Sequence, residues 1–203
     1  MAHTHRLSPA VNPASRSARD KPAIDHPPLS ELIRSLDLIR ASPSIEGRLE
    51  LIVRRPTDDA REIITRGELS TTDGLHGDNW STRPTRATGR PDPKAQLTLM
   101  NARAAAAIAG DRDRWPLAGD QLYVDFDLGT ANVPPGTRLA IGHAEIEVTD
   151  LPHLGCGKFI RRFGVDAQKF VKSPDGRALN CRGINTRVIV PGTIETGDVI
   201  SKI

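Results

Sequence analysis

Cys156 stands between Gly155 and Gly157, with His153 just before it and Lys158, Arg161 and Arg162 just after. Glycine on both sides lets the backbone turn tightly and approach a ligand. Phe159, Ile160 and Phe163 then recur at helical spacing, so a helix is predicted to start immediately after the cysteine and to run over 157–172. A thiol at a helix N-terminus among cations has a lowered pKa. Its thiolate is the form that attacks sulfur, carries persulfide or ligates a soft metal. The plainer alternative is a buried cysteine acting as a small hydrophobe, the commoner fate of a lone cysteine. The glycine bracket and the basic neighbours favour the reactive reading.

A second cluster runs Gly74-Leu75-His76-Gly77-Asp78-Asn79-Trp80, followed by Arg83 and Arg86. Asp78 and Asn79 are candidates to orient a heterocycle or a catalytic water, and Arg83 and Arg86 to pair with phosphate. By pattern alone the plainer reading is stronger here: an Asx-type turn with exposed polar tips and Trp80 as a core anchor. A third cluster, Asn180-Cys181-Arg182-Gly183-Ile184-Asn185-Thr186-Arg187, sets two arginines around a strand start. Arginine suits bidentate recognition of phosphate or carboxylate, although a strand with one solvated face accounts for Arg187. Cys181 reads as a packing residue, because its spacing from Cys156 carries no redox motif and a cytosolic protein rarely keeps such a bond.

These side chains need a scaffold, and the composition bounds it. The 203 residues carry 28 Lys+Arg against 25 Asp+Glu, a net charge of +3 that fits an anionic small ligand and is too even to argue for nucleic acid. Aromatics are only 3%, which argues against a stacking platform for single strands. No run approaches the roughly 18 apolar residues of a membrane span, and 2 cysteines exclude a disulfide framework and a four-cysteine zinc site. Residues 1–30 hold Pro9, Pro13, Pro22, Pro27 and Pro28 and few apolar side chains, so they read as a disordered tail. They show no secretory apolar core, which gives a cytoplasmic location by default.

Residues 31–45 read as helix and linker. The helix spans Leu29 to Ala41, with Ser30 as N-cap, Leu32, Ile33, Leu36 and Ile39 on its apolar face, and Pro43 as its stop. Residues 46–203 read as one domain of short strands: Leu49, Leu51 and Val53 in alternation, then 62–65, 96–100, 122–128, a hairpin 138–148 across Gly142-His143, then 183–190 and 199–203. An Ala-rich helix over 102–109 is capped by Asn101 and closed by Gly110. Many short strands at even spacing predict a barrel or closed sheet.

The ordered set of segments resembles the MOSC domain, named for the C-terminal domain of molybdenum-cofactor sulfurase. It comprises residues 74–80, Pro135 to Gly142, Glu147-Val148-Thr149, Pro152 to Phe159, Arg162-Phe163-Gly164, Arg182 to Asn185 and Val190 to Asp198. The match covers roughly 46–203 and is most like the stand-alone, single-domain bacterial members. The resemblance implies a mainly β fold, an antiparallel β-barrel with a few peripheral α-helices. It also implies that Cys156 contacts molybdenum or carries sulfur. Lys158, Arg182 and Arg83 are then expected to meet the phosphate of a molybdenum-pterin cofactor, with His153 and Asn185 completing the cofactor-binding set. The reductase members usually have Pro before the cysteine, where this chain has Gly155. The sulfurase's PLP-dependent domain has no counterpart here, so no PLP is expected.

Three functions follow. In the first, a molybdenum-cofactor oxidoreductase or cofactor-handling protein uses Cys156 as its metal ligand, Asp78 and Asn79 to place substrate or water, and a separate electron-donor protein. In the second, a sulfur carrier bears persulfide on Cys156, supplied by a desulfurase partner. The third is a non-catalytic module that binds an anionic small molecule. None calls for nucleic acid or a membrane.

Overall fold

The computed structural model describes residues 26–85 and 88–203. Most of the expected tail, up to residue 25, and Arg86 lie outside the described residues. The strands are β1 (Glu46–Arg54), β2 (Glu62–Ile64), β3 (Arg66–Ser70), β4 (Gly74–Leu75), β5 (Leu97–Asn101), β6 (Leu122–Asp125), β7 (Arg138–Ile141), β8 (Ala144–Val148), β9 (Ile184–Val190), β10 (Gly192–Glu195) and β11 (Val199–Lys202). Seven of them close a barrel in the order β11-β7-β8-β9-β5-β6-β1, and β1 pairs back onto β11. β1 serves two partners along one edge. Glu46 to Arg48 pair with β11, and Ile52 to Arg54 pair with β2, which stands outside the ring. A small separate sheet has the order β10-β3-β4.

The barrel is mixed, which corrects the antiparallel expectation. β5 and β6 run parallel, with Leu99 opposite Leu122. Their connection explains it. Asn101 ends β5 and caps α3 (Ala102–Ala109), its side chain accepting from the Arg103 and Ala104 amides. The chain then crosses the barrel's outer face through α3 and a 3-10 segment, Arg112–Ala118, before re-entering as β6. A long crossover of this kind returns the strand in the same direction.

Two apolar cores result. Leu49, Ile52, Leu97, Leu99, Leu122, Val124 and Ile146 fill the barrel. Leu51, Val53, Met100 and Tyr123 point outward and are covered by helices. Strict alternation would place Leu49, Leu51 and Val53 on one face, as the sequence suggested. A register shift against β6 between Leu49 and Leu51 changes the phase, so Leu49 and Ile52 face inward together.

The helix predicted over Leu29–Ala41 is two pieces, α1 (Leu29–Arg34) and α2 (Leu36–Arg40), and Pro28 rather than Ser30 holds the N-cap position. The Ser35 hydroxyl donates to the Leu32 carbonyl at 2.6 Å, a local bond that competes with continuous helix at the junction. Leu32, Leu36 and Ile39 nevertheless pack into the outer core. α4 (Gly157–Lys172) begins where predicted and is interrupted at Gly164, and α5 (Pro174–Ala178) follows. Among the described residues no helix is long and apolar enough to cross a membrane.

Candidate functional site

The loop after β8 delivers Cys156 to the N-terminus of α4, where it occupies the N-cap position with extended backbone. The thiol is exposed, unlike Cys181. Partial burial raises its pKa. The backbone amides of Phe159 and Lys158 and the Arg182 guanidinium outweigh that, and the thiol ends below its ordinary value. Gly155 has a steric reason. A Cβ there would run into Gln168 Oε1, whose amide nitrogen donates to the Gly155 carbonyl at 3.0 Å.

Cys156 opens onto a recess of about 180 Å³ whose cations are Arg55, Arg61, Arg83, Lys158, Arg162 and Arg182. Five of them are held by partners in the described residues. Arg55 directly follows β1 and is gripped by Asp78, with Nε to Oδ2 at 2.8 Å and Nη2 to Oδ1 at 2.9 Å. Asp78 also accepts from the Arg55 and Trp80 amides, at 3.0 Å each. Its carboxylate is sealed from solvent and faces arginine, not the recess. The turn tips expected to be exposed are therefore buried, because Asp78 is spent on orienting a cation. Trp80 is not in either core. Its Nε1 donates to the Asp92 carbonyl at 3.1 Å, and its ring lines a neighbouring cavity.

Arg182 lies over the Phe159 ring, 5.1 Å from its centroid, and donates to Asp120 Oδ2 at 2.7 Å and the Ala118 carbonyl at 2.9 Å. Arg162 and Lys158 both donate to Asp59 Oδ1, at 2.6 Å and 3.2 Å. The hydrogen bond and charge of Lys158 hold the Asp59 carboxyl below its usual range. Among the described residues Arg61 donates to carbonyls alone, those of Pro116 and Ala60. Burial, then the nearby Arg162 and Arg55, lower its pKa. Guanidinium groups that repel one another in a recess gain from a bound anion.

Three buried polar atoms of residues lining the recess are unpaired among the described residues: Asn79 Oδ1, His153 Nδ1 and Arg182 Nε. Such atoms are costly unless a ligand or water meets them. A larger cavity of about 500 Å³ shares Arg55, Arg83 and His153 with the recess. Asn185 lines this larger cavity and not the smaller one, and its amide donates to the Leu151 carbonyl at 3.0 Å.

Cys156, Asn79, Lys158, Arg182, Arg83 and His153 are thus brought together; Asp78 stands behind Arg55, and Asn185 lies next door. Arg187 is instead on the barrel surface, paired with Glu147 at 2.7 Å. Arg55, Arg61, Asp59 and Asp120 went unnoticed in the sequence. The only signal was Arg54-Arg55 at the end of a strand, before the Pro56-Thr57-Asp58-Asp59 turn.

No protein-family model matches the chain, and no curated protein matches it in sequence. Solved structures do match. YuaD from Bacillus subtilis is 17% identical with a TM-score of 0.56, over 77% of this chain and 94% of that one. YiiM from Geobacillus stearothermophilus is 13% identical with a TM-score of 0.55, over 77% and 75%. YiiM from Escherichia coli is 19% identical with a TM-score of 0.51, over 77% and 69%. At these identities the likeness is one of fold.

Proposed function

We propose that the chain is a MOSC-domain protein of the cytoplasm that binds a molybdenum-pterin cofactor through Cys156, as an oxidoreductase or cofactor-handling protein. The observation that carries this reading is the convergence of an accessible, acidified thiol and six cationic side chains on one recess. The ordered motifs and the shared barrel fold support it. The donor set fits the group: a soft thiolate for the metal, guanidinium groups for a phosphate, and an unpaired Asn79 Oδ1 for a heterocycle N–H. Among the described residues no three His, Cys, Asp or Glu side chains gather as metal ligands, so Cys156 would be the single protein donor beside the pterin's own sulfurs.

When bound, the group would supply two-electron redox chemistry at the metal. The chain's residues do the rest. Lys158, Arg182 and Arg83, joined by Arg61 and Arg162, take the phosphate, Asp78 keeps Arg55 aimed at the recess, and Asn185 extends recognition into the larger cavity. Electrons come from a separate donor protein, and PLP has no role.

A second reading, a sulfur carrier, is favoured by one observation. Cys156 is exposed and faces the α4 amides, which suit a terminal persulfide anion delivered by a desulfurase. One experiment tests both. The protein and its Cys156→Ala variant are purified from a cofactor-producing host. Molybdenum near one per chain, lost in the variant, is expected for the first reading. One added sulfur on Cys156 without metal selects the second, and the absence of both signals rejects the two together.

A further inference from the structure

Asp120 is completely buried between two residues of the recess. Its Oδ2 accepts from Arg182 Nη1 at 2.7 Å. Among the described residues its Oδ1 has no hydrogen-bond partner, and it lies 3.4 Å from His153 Nδ1, which is also buried and unpaired there. The pair is at ion-pair distance without the alignment of a hydrogen bond, and a proton on Nδ1 sets the positive end of an N–H dipole, not a second lone pair, against the carboxylate. Burial, with Arg182 adding to it, drives the His153 pKa down to about 3, so the imidazole is neutral and carries a single ring proton. Only Nδ1 has a carboxylate facing it. Nε2 has no hydrogen-bond partner among the described residues, and the side chain keeps 15% of its surface exposed. The ring lines the recess, the larger cavity and a third cavity beyond it. Gly183, at φ 102°, is required first by the Leu99 carbonyl, into which a Cβ would run, and a Cβ there would also lie 3.2 Å from His153 Nδ1.

We infer that Asp120 is a positioning residue: it keeps the proton of His153 on Nδ1, so that Nε2 presents a bare lone pair to the recess and accepts a hydrogen bond from the ligand. The inference rests on the recess being an anion site and narrows its ligand class to anions that carry their own O–H or N–H donor. Asp120 also restrains Arg182, so one carboxylate orients a cation for the anion's charge and an acceptor for its proton. In Asp120→Asn the amide oxygen stays on the Arg182 donor. The NH₂ then faces Nδ1, and the ring proton must move to Nε2, turning the acceptor into a donor.

Long-range ¹H–¹⁵N spectra of the full chain read the tautomer directly, with His153→Gln assigning the signal. The expected result is an Nδ1–H ring in the wild type and an Nε2–H ring in Asp120→Asn. Inorganic phosphate at pH 7 carries a P–OH donor, whereas sulfate has the same shape and none. The wild type should bind phosphate roughly tenfold more tightly than sulfate, the value of one good hydrogen bond, and Asp120→Asn should lose the preference. Should the variant fail to fold, the wild-type tautomer and the phosphate-to-sulfate ratio decide alone. An Nε2–H ring in the wild type, or equal binding of the two anions, overturns this inference and leaves the anion reading standing. Binding of neither anion overturns both.

Discussion

The chain's two cysteines occupy opposite surroundings. Cys156 ends an exposed loop, caps a helix and faces an arginine cluster, and its thiol is acidified. Cys181 is packed in the outer core among Leu36, Phe170 and Val171, and burial pushes its thiol up to about 12. Each has a basic residue close behind it in sequence, Lys158 and Arg182. Arg182, adjacent to Cys181 along the chain, lowers the pKa of Cys156 instead. Thiol chemistry here follows from the helix-start amides next to Cys156 in sequence together with the arginine that the fold brings to it through space.

The largest expected contrast is kinetic. At pH 7 an alkylating reagent should modify native Cys156 at least about a thousandfold faster than Cys181, and the two should converge in denaturant. Mass spectrometry of peptides over a time course reads this, and comparable native rates would break the contrast.

The next contrast is in the pH dependence of stability. The Cys181 pKa is raised from 9.0 to about 12 on folding. Its contribution is therefore full below pH 9 and is lost as the pH rises from 9 towards 12. Cys156 has the opposite sign. Its lowered pKa contributes stability above the unfolded value, and that contribution is lost as the pH falls through the folded value. Denaturant unfolding at pH 8 and pH 10.5 should show a decline that Cys181→Ala reduces, the buried Tyr123 phenol, also pushed up, supplying part of the rest. A decline unchanged in that variant would assign it to other groups.

The smallest contrast is in substitution by serine. Cys181→Ser buries a hydroxyl in an apolar core and should cost about 1–3 kcal/mol. Cys156→Ser places a favoured N-cap residue at an exposed helix start and should stay within about 0.5 kcal/mol of wild type. Equal losses would mean that Cys156 is more deeply packed than its exposure indicates.

Much of the barrel was legible in the sequence. The hairpin across Gly142-His143, the Asn101-capped helix and the helix starting after Cys156 all rest on strong local signals: a turn, a cap, an apolar period. The small β10-β3-β4 sheet was missed because β4 is only two residues long, too short for any period. The parallel β5–β6 pair was missed because strand direction depends on where the intervening chain packs. At the site, Cys156 and its basic neighbours form one continuous segment and could be singled out. Arg55, Arg61 and Asp120 are scattered along the chain, and no spacing connects them to the cysteine.

The residue types and their local order determined by themselves that Cys156 sits on a tight turn at a helix start, and that strands outnumber helices. Those properties depend on near neighbours, which sequence fixes directly. Tertiary structure alone decided that Asp78 serves Arg55, that Asp120 lies between Arg182 and His153, and that Arg182 acts on the Cys156 thiol rather than on its neighbour Cys181. Burial and charge act over a few ångströms in space, and residues that close can be any distance apart along the chain.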